Sequence, residues 1–266
     1  MMKTPDAEGD RMPLARSTGP HSSARRDGLL AFAVLGGALA ALVLLADAAL
    51  PVLACSVLLG LAVLGAVVRS TVRRRGEPYG PADRVTVGRS VLVALAAALL
   101  PLGLAPVLGH DGGRPADAWC WTVFAVALPA WLLDGIDGWV ARRTGTATRA
   151  GARFDQEVDA VLLLFLSVAV AARIGLPEAW WVVVIGALRY LFLLGLRVRP
   201  AWRRELPFSS YRRVVAGIQG GVLLGALVPL IPLPLAVTAT VIALVLLLVS
   251  FGRDVLWLER CARGLS

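Results

Sequence analysis

The chain consists mostly of long apolar segments separated by short polar connections. Eight such segments follow one another, and most are near the roughly 20 residues that an α-helix needs to cross about 30 Å of hydrocarbon. The segments are residues 29–46, 50–68, 85–109, 119–140, 158–172, 178–196, 214–231 and 235–252. Because the runs are continuous rather than alternating, they predict membrane-spanning helices and not the strands of a closed barrel. We therefore predict an all-α, polytopic membrane bundle.

Two parts of this pattern differ from the rest. The segment at residues 158–172 is the shortest, and charged residues border it at both ends. We expect it to gain length from a helix that also carries Asp155 and Asp159. The first 28 residues lack apolar periodicity and are interrupted by Pro and Gly, which is typical of a disordered tail.

Composition supports the membrane class, and charge adds a topology. Of the 266 residues, 58% are hydrophobic and 17% are charged, which is too apolar for a soluble domain of this size. When alternate loops are assigned to one side, 23 Lys and Arg residues fall on that side and only Arg114 and Arg173 on the other. Since loops rich in Lys and Arg stay in the cytoplasm, the pattern predicts a multi-pass protein of the cell membrane with both termini cytoplasmic.

The net charge of +9 is mostly explained by this topology. Anionic headgroups of membrane lipids are the secondary partners that it predicts. Nucleic acid is not expected as a partner, because the arginines are scattered over short loops without interleaved aromatic residues. Cys55, Cys120 and Cys261 are isolated from one another and suggest neither a disulfide nor a zinc site.

Four aspartates lie close together beside apolar runs, in the stretch "DGIDGWVARRTGTATRAGARFDQEVD" that begins at residue 134. At 100° per residue, Asp134 and Asp137 share one helix face. After a short polar connection, Asp155 and Asp159 share a stripe with Gly151 at spacings of four residues. Two neighbouring helix ends therefore offer two carboxylates each to a common space.

Such a group of carboxylates needs a counter-charge, because like charges and burial both raise carboxyl pKa values. All-oxygen ligands suit a hard divalent cation such as Mg²⁺, Mn²⁺ or Ca²⁺, and Mg²⁺ is often shared with the phosphates of a substrate. Gly138 and Gly151 would leave room for a bulky ligand beside the carboxylates. Arg142, one turn beyond Gly138, could bind a phosphate through two parallel hydrogen bonds from its planar guanidinium group.

These positions carry a family resemblance. They spell DxxDGxxAR, then eight residues, then GxxxDxxxD, which looks like the signature of the CDP-alcohol phosphatidyltransferase family. The resemblance implies transfer of a phosphatidyl or similar phospho-alcohol group from a CDP-linked lipid donor to an acceptor alcohol, with release of CMP, in phospholipid biosynthesis. It also implies dependence on Mg²⁺ or Mn²⁺, and it allows a homodimer.

The resemblance further implies a role for each residue of the motif. Asp134, Asp137 and Asp155 would hold the metal with Asp159 nearby, and Asp159 would act as the general base. The pocket for the CDP moiety would be lined by Asp134, Gly138, Ala141, Arg142 and Gly151.

It also implies a six-helix catalytic core, and the two apolar spans before residue 70 and the polar tail lie outside that core. The predicted parts are a disordered cytoplasmic tail at 1–28, two transmembrane helices at 29–68, a basic cytoplasmic linker at 69–84, the six-helix core at 85–252 and a cytoplasmic tail at 253–266.

Arginines outside the motif are the candidates for binding the acceptor. Thr86 and Arg89 resemble a Thr and Arg pair at the entry to the family's first core helix. Relatives that take phosphorylated acceptors place basic residues around the acceptor pocket, and Arg189, Arg212 and Arg213 could do so here. An arginine inside an apolar span usually faces a polar cavity, and Arg189 is such a residue.

Two other functions stay open at this point. Intramembrane prenyltransferases also use Asp-rich metal sites, but they would need a second Asp-rich motif, and residues 178–252 contain none. A transporter or a structural membrane protein could use the acids as an ion site, but it would predict broken helices in repeated halves. No convincing inverted repeat is visible in the sequence.

Overall fold

The computed structural model describes residues 20–72, 79–109, 116–144, 148–199, 202 and 210–263. Within these ranges, side chains are described except at residues 20–22, 72, 137–142, 144, 149–150, 210 and 212–213. The elements are α1 (Pro20–Leu45), α2 (Leu50–Val72), α3 (Pro81–Leu108), α4 (Asp117–Thr144), α5 (Arg149–Ile174), a 3₁₀ turn (Trp180–Val182), α6 (Val183–Val198), α7 (Ser210–Leu227) and α8 (Leu233–Ala262). The described part is helical without strands, which confirms the predicted all-α bundle.

Six of the helical segments are long and apolar enough to cross a membrane among the described residues. They belong to α1, α2, α3, α4, the 3₁₀ turn with α6, and α8. The apolar part of α7, Val214–Leu227, is shorter, and α5 begins with the polar residues of the Asp-rich stretch. The helical membrane class is therefore confirmed, and the count of eight spans stays a prediction.

Helix α5 lies at the centre of the bundle. It packs against α2, α3, α4, α6 and α7, and Leu162, Leu166 and Val170 on its apolar part are buried. The approach of α6 is especially close, because a Cβ atom on Gly186 would lie 2.3 Å from Leu164 Cα. Real Cβ atoms do not come this near to backbone, so Gly186 is needed for α6 to lie against α5.

The first two helices pack on α3 and share the hydrophobic core with it. Leu35 of α1 and Leu64 of α2 are fully buried in the cluster that also contains residues of α3. A polar contact joins the helix ends: Asp27 accepts a hydrogen bond from the Tyr79 hydroxyl at 3.0 Å and pairs with Arg84 at 3.1 Å. Burial is the main cause that raises the pKa of the Tyr79 hydroxyl above its usual value, and the hydrogen bond to Asp27 raises it further.

Helix α1 begins earlier than the sequence predicts. It starts at Pro20, so residues 20–28 of the segment predicted as a disordered tail belong to this helix. Proline is favoured at the first position of a helix, because its missing N–H would have no partner there. The contact of Asp27 with Tyr79 and Arg84 ties this polar turn to the rest of the bundle.

Arg173, one of the two basic residues predicted on the outer side, has a structural role. Its guanidinium donates hydrogen bonds to the carbonyl of Ala226 and, at 2.9 Å, to the carbonyl of Ile231. These carbonyls lie at the end of α7 and in the turn before α8, where helix geometry leaves acceptors without partners. Arg173 therefore closes the end of the bundle opposite the Asp-rich stretch.

Candidate active site

Three helix ends meet at the Asp-rich stretch. The last part of α4 carries Asp134, the first turns of α5 carry Asp155 and Asp159, and the first turns of α3 carry Arg89. Helix α5 starts at a defined point because Thr148 accepts a hydrogen bond from the Gly151 backbone N–H at 2.9 Å. The short connection from α4 to α5 thus brings the two halves of the motif to one end of the bundle.

The structure brings together three of the four predicted aspartates. Asp134, Asp155 and Asp159 each offer a carboxylate oxygen, and these oxygens all lie within 4.8 Å of one another. Their side chains are 39%, 30% and 36% exposed, respectively. The cluster is therefore half-buried and has an open side.

Arg89 lies at the closed side of this cluster. Its side chain has no exposed surface, and its Nη1 donates to Asp134 Oδ1 at 2.5 Å. Its Nη2 donates to Asp155 Oδ1 at 2.8 Å and to Asp159 Oδ1 at 2.9 Å. One guanidinium therefore joins carboxylates from two other helices, a contact that sequence reasoning did not predict for this residue.

The beginning of α3 is fixed by its own acidic residue. Asp83 is buried and accepts a hydrogen bond from the Gly80 backbone N–H at 2.9 Å, which caps the first turn of the helix. Gly151 lies against it, since a Cβ atom there would be 3.7 Å from Asp83 Oδ1 and 3.1 Å from Thr148 Oγ1. The space at Gly151 is therefore used by the contact between α5 and α3, and not only by a ligand as predicted.

The other predicted site residues are less completely described. The side chains of Asp137, Ala141 and Arg142, and the surroundings of Gly138, lie outside the described residues, although the backbone of α4 continues past them to Thr144. The side chains of Arg212 and Arg213 lie outside them too. Arg189 is half-buried on α6, and the contacts of the described residues do not connect it to the three carboxylates.

The residues present fit a hard divalent cation. The three ligands are all carboxylates, the ligand type that Mg²⁺ and Mn²⁺ prefer. With all three ionised, the single charge of Arg89 leaves two negative charges uncompensated. The open side of the cluster would admit a cation together with a phosphate-bearing substrate.

Comparisons with known proteins agree with this chemistry. The model of the CDP-alcohol phosphatidyltransferase family matches residues 81–259. Two curated relatives, each described as a "Probable phosphatidylglycerophosphate synthase" and from two strains of Mycobacterium tuberculosis, are 33% identical over 177 residues. The alignments cover 63% of this chain and 82% of each relative. No solved structure matches the chain.

The family match begins at the first residue of α3 and ends in α8. It includes Arg89 and the three clustered aspartates, whereas α1 and α2 precede it. The protein therefore belongs to the CDP-alcohol phosphatidyltransferase family, and it is a membrane enzyme that transfers a phosphatidyl group from a CDP-linked lipid in phospholipid synthesis.

Proposed function

We propose that the donor is CDP-diacylglycerol and that the acceptor is glycerol 3-phosphate, so that the products are phosphatidylglycerophosphate and CMP. The name of the two relatives supports this acceptor. The reaction site is the cluster of Asp134, Asp155 and Asp159, and the observation that carries this assignment is the convergence of their oxygens within 4.8 Å. Family membership favours this function over the prenyltransferase and transporter alternatives.

We infer that the cluster holds Mg²⁺ or Mn²⁺. Asp134, Asp155 and Asp159 would bind the ion, and Asp137, three residues after Asp134 on the same helix, would complete the set. When bound, the ion supplies positive charge that neutralises the donor diphosphate and the charge that develops on the leaving CMP. The half-exposed side of the cluster is where the diphosphate would approach.

Asp159 is the proposed general base. Its carboxylate lies one turn after Asp155 on the same face of α5 and is 36% exposed, so an acceptor hydroxyl can reach it. The hydroxyl oxygen forms a bond to the lipid-side phosphorus, and the bond from that phosphorus to the bridging oxygen of CMP breaks. The electron pair leaves with CMP, and the hydroxyl proton passes to Asp159.

The remaining predicted contacts become part of the proposal. The CDP moiety would lie against Asp134, Gly138, Ala141, Arg142 and Gly151. The phosphate of the acceptor would be bound by Arg189, Arg212 and Arg213. Planar guanidinium groups suit this task because they donate two parallel hydrogen bonds to phosphate oxygens.

We propose that the protein crosses the plasma membrane and that both of its termini and its reaction site face the cytoplasm. The asymmetry of Lys and Arg between alternate loops supports this orientation. Apart from residues 20–28, which belong to α1, the domain plan predicted from the sequence stays a prediction, as does the homodimer.

This orientation predicts the labelling of a single cysteine in the α4–α5 connection. In a background without Cys55, Cys120 and Cys261, Ala147→Cys should react with a membrane-impermeant maleimide in inverted membrane vesicles and not in intact cells. The measurement compares intact cells with inverted vesicles. Labelling of intact cells would contradict the proposed topology.

The proposed acceptor predicts the outcome of a substrate panel. Purified protein is incubated with CDP-diacylglycerol and Mg²⁺ together with glycerol 3-phosphate, inositol phosphate, inositol or serine, and CMP is measured. We expect sustained CMP release with glycerol 3-phosphate and none with inositol or serine, because a site that pairs arginines with a phosphate is left with uncompensated charge by the unphosphorylated acceptors. The name of the two relatives favours glycerol 3-phosphate over inositol phosphate. Preference for another acceptor would contradict this choice and leave the reaction class intact.

A further inference from the structure

Arg89 is the most completely buried charged residue of the described structure. Its side chain has no exposed surface, although it lies in α3, a helix long and apolar enough to span a membrane. Burial of a charge in such a place costs several kcal/mol unless close partners compensate it. The three carboxylates around it supply that compensation.

The contacts of Arg89 have a definite direction. Nη1 binds Asp134 of α4, and Nη2 binds Asp155 and Asp159 of α5, in each case through Oδ1. The guanidinium is fully buried, whereas each carboxylate is about a third exposed. Arg89 therefore reaches the carboxylates from the closed side of the cluster and leaves the open side to other ligands.

We propose that Arg89 is a positioning residue of the reaction site. Through Nη1 and Nη2, its guanidinium holds the carboxylates of α4 and α5 at a fixed distance from one another. It also orients them toward the open side, where a divalent cation and the donor diphosphate bind. This inference rests on the proposed metal site. Partners that fix the orientation of metal-binding side chains typically contribute 10- to 100-fold to metal affinity or activity.

The geometry distinguishes this role from two others. As an acceptor-binding residue, Arg89 would have to reach a substrate phosphate without any exposed surface of its own. As a competitor of the metal, it would have to leave the cluster when the metal binds, and a guanidinium with no exposed surface would then lose all three of its carboxylate partners. The complete burial of Arg89 instead supports a fixed position behind the metal-binding carboxylates.

The test measures the affinity of the full-length purified protein for Mn²⁺, in the absence of both substrates, from the electron paramagnetic resonance signal of free Mn²⁺. Arg89→Met would leave three carboxylates without a counter-charge and risks unfolding. Arg89→Lys keeps the charge but replaces a planar guanidinium, which donates from two terminal nitrogens, with a single ammonium group. We expect Arg89→Lys to weaken Mn²⁺ binding by roughly 10- to 100-fold with the unfolding temperature largely kept.

Arg84→Lys is the matched control. Arg84 lies on the same helix, but it is exposed and pairs with Asp27 of α1. This variant should bind Mn²⁺ as the parent protein does.

The outcomes separate the inference from the function on which it rests. If folded Arg89→Lys binds Mn²⁺ as tightly as the parent or more tightly, the positioning role is wrong and the metal site stands. An effect confined to KM for the acceptor would assign Arg89 to acceptor binding instead. Failure of the parent protein itself to bind Mn²⁺ would remove the proposed metal site and the inference together.

Discussion

Asp159→Asn is expected to reduce CMP release by at least about 100-fold, since a general base typically contributes 10²- to 10⁴-fold. Asparagine has nearly the same shape and keeps an oxygen to accept the hydrogen bond that Arg89 donates to Asp159 at 2.9 Å. It cannot take the proton of the acceptor hydroxyl. The measurement is the initial rate of CMP release from CDP-diacylglycerol, together with the thermal unfolding temperature, which should change little.

Glu157→Gln provides the control for this substitution. Glu157 lies two residues before Asp159 on α5, but its side chain is exposed and is not part of the carboxylate cluster. The same loss of one negative charge should therefore leave the rate near that of the parent protein. Normal turnover by Asp159→Asn would exclude Asp159 as the base.

Removal of divalent cations is expected to abolish the activity, and Mg²⁺ or Mn²⁺ should restore it. Three carboxylates with one guanidinium keep a net negative charge, and the donor adds a negatively charged diphosphate. Two like charges about 4 Å apart repel by about 4 kcal/mol at an effective dielectric constant near 20, which corresponds to roughly a thousandfold in binding. Without the cation, the donor should not bind productively.

The experiment dialyses the purified protein against EDTA and then measures CMP release before and after addition of each ion. A cooperative unfolding transition that is still present after dialysis shows that the protein remains folded, so the loss does not come from unfolding. Activity that persists in excess EDTA would exclude the metal model while leaving the family assignment intact.

The helices could be predicted from the sequence because each apolar segment is long and continuous. The start of α1 could not, since residues 20–28 are polar and the contact that anchors them joins Asp27 to Tyr79 and Arg84. That contact links residues more than 50 positions apart. Local composition contains no information about such a pairing.

The meeting of Asp134 with Asp155 and Asp159 follows from helix geometry and a short connection, and spacing alone predicted it. The position of Arg89 depends on the rotation and depth of α3 relative to α4 and α5, which spacing along one helix does not determine. One signal was present: an arginine inside an apolar segment needs an opposite charge, and the Asp-rich stretch places four aspartates directly beside apolar segments. Gly151 was predicted to leave room for a bulky ligand, and tertiary packing also places it against Asp83, a contact that local spacing does not predict.

We expect the carboxylates gathered by Arg89 to form the site where the metal and the CDP-linked donor meet. Anomalous diffraction from crystals grown with Mn²⁺ and CDP-diacylglycerol would show both ligands in place. We predict a manganese peak bound by Asp134, Asp155 and Asp159 on the side opposite Arg89, with the donor diphosphate next to it. Bound donor without a manganese peak at this cluster, or with manganese held by other residues, would contradict this expectation.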